Sequence, residues 1–100
     1  MNIPKKFKVG GTVYEIVYKD MVDNEEEYRG CANFREQRIE IKNGLAKEYA
    51  ERTFLHEVIH LITNFLSIEW GKNDELWTES MANVLHQIIK DNKDVFKEDR

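Results

Sequence analysis

Residues Leu45 to Ser67 read LAKEYAERTFLHEVIHLITNFLS, and this stretch decides the fold. It holds neither glycine nor proline, and its apolar residues recur at helical spacing. Take about 100° per residue and put His56 at zero. Phe54, Leu55, Val58, Ile59, Leu61, Ile62, Phe65 and Leu66 then fill one broad arc. Thr53, Glu57, His60, Thr63, Asn64 and Ser67 share the other side. So wide an apolar arc predicts a helix that is mostly covered, with its polar side turned towards a cleft.

The flanking residues supply boundaries. Asn43 is placed to cap this helix and Gly71 to stop it. Asn73 or Asp74 can cap a second helix over 74–90. Trp77, Met81, Leu85 and Ile88 are expected to pack against the first helix or a sheet. Trp70, in the linker, is expected in the core or a cleft wall. The mostly charged tail, 91–100, is expected to be frayed or loosely docked.

Upstream, the period changes from helical to alternating. Phe7 to Val9 and Thr12 to Tyr18 flank Gly10-Gly11, a two-residue hairpin signal. Asp20 to Glu27 is acidic and turn-rich, and reads as a solvated connection. Tyr28 to Ala32 is a candidate third strand. Arg38 to Lys42 alternates most cleanly. Strands over 1–42 followed by helices predict one α+β domain: a small antiparallel sheet of three to four strands, with two main helices on one face.

Composition narrows the function classes. One hundred residues make a single domain, and 41% are apolar. The net charge of −4 and the scattered basic residues argue against a nucleic-acid partner. No apolar run is long enough for a membrane span. The single cysteine, Cys31, cannot form an internal disulfide and is expected to be a small buried residue. With no secretory signal or propeptide visible, a cytoplasmic protein is expected.

Within the decisive stretch, His56-Glu57-Val58-Ile59-His60 fits H-E-x-x-H. On a helix, residues four apart share a face, so both imidazoles can reach one ion. Glu57 is rotated away from them and is free to act as a general base on metal-bound water. The chain has only three histidines, and two of them stand here. Neither lies on the apolar arc, so burial in the core does not account for them. Catalytic zinc commonly takes three protein ligands and keeps one position open. The third can come from His86 or from the second-helix carboxylates Glu75 and Glu79. Glu79 is the choice made on position: it sits at the margin of the apolar stripe, beside small Ala82, where it can look into an inter-helix cleft.

His56-Glu57-x-x-His60, then Glu79-Ser80-x-Ala82-Asn83 eighteen residues on, resembles the gluzincin metallopeptidases. The likeness covers about residues 37–90. It is closest to the compact minigluzincins and the ImmA/IrrE-type peptidases of phages and mobile elements. The resemblance implies Zn2+ held by His56, His60 and Glu79, with Glu57 as catalytic base and a protein or peptide as substrate. His86 and Asn83 are candidates for a supporting role behind the ligands. Two features depart from that family: no histidine follows His86 to stabilise a transition state, and the acidic loop has no counterpart. The expected activity is hydrolysis of peptide bonds, with the peptide paired on the edge of the Arg38–Lys42 strand. The alternative is a zinc-stabilised module that binds a partner and cleaves weakly or not at all.

Overall fold

The computed structural model describes residues 1–69 and 71–96. Trp70 and the last four residues of the charged tail, 97–100, lie outside them. Strands β1 (Lys6–Val9), β2 (Thr12–Lys19), β3 (Gly30–Asn33) and β4 (Arg38–Lys42) precede helices α1 (Lys47–Leu66) and α2 (Asp74–Asp91). Short 3-10 turns at Gly71–Asn73 and Lys93–Phe96 flank α2. The α+β class expected from the sequence is the one found.

Gly10 and Gly11 join β1 to β2 with φ of 58° and 87°, the left-handed pair that a tight two-residue hairpin demands. Gly10 has a second reason to lack a side chain. The Phe65 ring of α1 lies 2.2 Å from where its Cβ would sit.

The sheet runs β1-β2-β4-β3. β4 pairs antiparallel with β3 but parallel with β2, from Glu15↔Arg38 to Lys19↔Lys42. The sheet is therefore mixed, not antiparallel. After β2 the chain crosses to the far edge, forms β3, and returns as β4 through the gap between them. That return makes β4 an internal strand, so the edge expected at Arg38–Lys42 belongs instead to β3.

Alternation along β4 sorts its side chains. Ile39 and Ile41, both fully buried, meet Phe54, Leu55, Val58, Ile59 and Leu61 of α1. Each such buried aliphatic side chain is worth about 1.5–3 kcal/mol. Glu40 points the other way, where Arg38 Nε donates to it at 2.8 Å and the Asp23 N–H at 3.3 Å. The acidic loop is more than a solvated connection, because Val22 within it is fully buried while residues 23–28 stay exposed.

Two boundary expectations are corrected, and the packing of α2 differs in part. Ala46, not Asn43, stands at the N-cap of α1, and no side chain caps it. The Asn43 amide instead donates to Asp20 at 2.9 Å. Ser67, left-handed at φ 55°, ends α1 before Gly71 is reached, with its N–H turned back to Asn64 and Thr63. On α2, Thr78, Ala82 and His86 form the buried face, while Trp77, Met81 and Ile88 are half-exposed. Small Ala82 lets the two helices approach closely. Among the described residues, no helix is long and apolar enough to cross a membrane.

Candidate metal centre

The middle of α1 is buried on nearly every side: Thr53 through Ile59 are all covered. Phe54, Leu55, Val58, Ile59 and Leu61 of the apolar arc meet the core, while Ile62, Phe65 and Leu66 at its end stay exposed; the polar side faces a cleft of about 530 Å³ bounded by Tyr28, β3 and Phe34. His56, Glu57, His60 and Glu75 line its floor.

The Nε2 atoms of His56 and His60 stand 3.2 Å apart. Glu75, from the first turn of α2, places one carboxylate oxygen 2.8 Å from His60 Nε2 and the other 3.1 Å from His56 Nε2. Among the described residues, these three alone form a group able to hold a metal ion. A tetrahedral site with bonds near 2.0–2.1 Å has ligand atoms about 3.3 Å apart. The group fits such a site with adjustments of a few tenths of an ångström.

The second nitrogen of His56 is also engaged. The other nitrogen of His56, Nδ1, donates to Glu79 Oε1 at 3.0 Å. A neutral ring donating through Nδ1 carries a lone pair on Nε2. That lone pair faces a carboxylate oxygen, and only a proton or a cation between them relieves the repulsion.

Glu79 therefore stands on the Nδ1 side of His56, and it is Glu75, not the expected Glu79, that the fold brings to the two Nε2 atoms. The two carboxylates are four residues apart and share a face of α2. One turn of offset gives Glu75 the ring nitrogens that face the cleft and Glu79 the nitrogen turned away. Arg29 Nη2 donates to the second Glu79 oxygen at 2.6 Å. Burial tends to raise the Glu79 carboxyl, but its hydrogen bond to His56 and the Arg29 charge outweigh this and leave it below the usual range.

Glu57 sits next to the centre without entering it. Burial is the main cause of its pKa being raised to about 7, and the Glu75 charge adds to that. The charges of His56 and Arg29 and the Ala32 backbone N–H oppose the shift.

The other expected site residues lie elsewhere. His86 Nε2 is bonded to Glu51 Oε1 at 2.7 Å, both side chains buried, so His86 ties α2 to α1 and does not support Glu79. Asn83 is exposed beside His86 in a groove far along α2. Cys31 is half-buried in β3; burial first, then the charges of Asp23, Glu57 and Glu40, push its thiol up to about 11. Protonated at neutral pH, it is neither nucleophile nor ready ligand. Arg29 was not foreseen at all, because nothing in the pattern around one arginine at the start of a strand announces its partners.

No family model matches this chain, and neither a curated protein nor a solved structure matches it.

Proposed function

We propose that this protein hydrolyses peptide bonds with a zinc ion held by His56, His60 and Glu75, and that Glu57 is the general base. The observation that carries the reading is the convergence of two imidazole nitrogens and a carboxylate within 3.2 Å of one another on the floor of an open cleft. When bound there, zinc lowers the pKa of its water to about 7 and polarises a carbonyl. Glu57, also raised to about 7, can take a proton and return it near neutral pH. Gly30 and Ala32 alternate with the β3 residues bonded to β4 and so turn away from β4; the Ala32 N–H is given to Glu57, which leaves the Gly30 groups and the Ala32 carbonyl for the open edge. An extended peptide can pair there beside the centre, by strand addition.

One observation favours a second reading. The two histidines lie on α1 and Glu75 on α2, so the ion also cross-links the helices. A module that binds a partner and uses zinc only for stability would share this geometry.

Zinc content and cleavage of an unstructured protein separate the two. Wild-type protein is expected to bind one zinc, and Glu75→Ala to lose it. Glu57→Gln is expected to keep zinc while cleavage falls by about 10²–10⁴. Undiminished cleavage by Glu57→Gln removes its role as base. Tight zinc without cleavage of any member of a peptide library selects the binding module, and no zinc uptake removes both readings.

A further inference from the structure

We propose that Arg29 is a positioning residue of the metal centre. It holds Glu79 against His56 Nδ1 and so fixes the ring whose Nε2 faces Glu75 and His60. The inference rests on the metal-centre reading above.

Three contacts fix Arg29, and the last of them leads on to His56. Its guanidinium lies over the Tyr49 ring at 4.9 Å and reaches Thr53 Oγ1 at 3.4 Å, both on α1. Thr53 Oγ1 is itself fixed, donating to the Tyr49 carbonyl at 2.8 Å. From that seat Arg29 Nη2 donates to Glu79 Oε2 at 2.6 Å, and Glu79 Oε1 accepts from His56 Nδ1 at 3.0 Å. The planar fork of arginine suits this work: one nitrogen anchors on α1 while another orients the carboxylate of α2. Without it, Glu79 is a half-exposed side chain free to turn to water.

Gly30 shows that the fold is built to seat Arg29. A Cβ at residue 30 would lie 2.6 Å from Thr53 Cγ2 and 3.1 Å from Glu57 Oε2. The absent side chain lets the start of β3 close onto α1, which carries Arg29 over Tyr49 and Thr53. A carboxylate behind a ligating histidine fixes ring orientation and raises ligand basicity, and losing such support typically costs about 10–100-fold in metal affinity.

The test is zinc affinity by chelator competition, with the d–d spectrum of the cobalt(II) protein as a direct view of the ligand field. Arg29→Ala is expected to weaken zinc binding by about 10–100-fold and to alter the cobalt spectrum. Arg29→Lys, which keeps charge but not the fork, is expected to restore part of the loss. If Arg29 works through Glu79, adding Glu79→Gln to Arg29→Ala costs little more than either change alone. Should Arg29→Ala fail to fold, Arg29→Lys and the Glu79→Gln cycle in its background carry the test. Wild-type affinity and spectrum in the arginine variants, or losses that simply add, overturn the positioning role and leave the metal centre standing. Failure of the wild-type protein to bind zinc or cobalt overturns both.

Discussion

Glu57 is only 6% exposed, yet its carboxyl has no cation bonded to it among the described residues. Its pKa rises from 4.5 to about 7 in the folded protein. The sign of the consequence is fixed. A folded state that holds a proton more tightly than the unfolded chain is favoured below pH 4.5, and that advantage is lost as pH climbs through 7. A shift of this size corresponds to about 3 kcal/mol. Metal-free wild type, kept in chelator, is expected to lose stability between pH 5 and pH 8. Glu57→Gln should lack that slope. Urea midpoints of the two proteins at both pH values check it, and parallel curves would show that Glu57 is not protonated in the fold. The two histidines and this glutamate were legible in the sequence because their geometry is local: four residues on a helix make one turn wherever the helix lies. The choice between Glu75 and Glu79 was not local. Both share a face of α2, and only the depth to which α2 slides along α1 decides which one meets the Nε2 atoms.

At the scale of elements, α2 meets the core through Ala82, Leu85 and Ile89 and buries two polar side chains beside them. Thr78, Ala82 and His86 are its buried face, and the His86–Glu51 bond is its best-covered polar link. Removing one partner of such a pair strands the other away from water. His86→Ala is expected to cost about 2–4 kcal/mol in stability. The double change Glu51→Met with His86→Leu should recover much of that, since two apolar residues leave nothing unpaired. Denaturation midpoints of the three proteins measure the difference, and a single change as mild as the double would show the pair to be water-linked. The exposed Lys90–Glu48 pair, one turn further, adds little. The elements themselves were largely readable from pattern. Alternation marked β4, and the Gly-Gly turn marked the hairpin between β1 and β2. Their order was not readable, because parallel pairing of β2 with β4 depends on where β3 docks. The face of α2 was readable only in part: of Trp77, Met81, Leu85 and Ile88, Leu85 packs against the core while the other three stay half-exposed, and Thr78, Ala82 and His86 are the fully buried residues.

For the whole molecule, a core drawn from one hundred residues leaves little stability in reserve. A ligand that binds only the folded state adds to it by mass action, about 2.7 kcal/mol at a hundredfold excess over its Kd. Zinc is therefore expected to raise the thermal midpoint by several degrees, in step with its free concentration, and chelator to reverse the rise. Thermal scans at stepped zinc concentrations test this, and a midpoint indifferent to zinc would count against the site. The effect should exceed that of a surface ion, because the proposed ligands come from two helices that must first be brought together.

That division ties the centre to the docking of α2. Glu75 follows His60 by fifteen residues, and α2 must fold back onto α1 before the carboxylate can meet the histidines. If the centre cuts polypeptides as proposed, the docking of α2 is what arms it, and a chain with α2 undocked has only the two histidines to offer an ion.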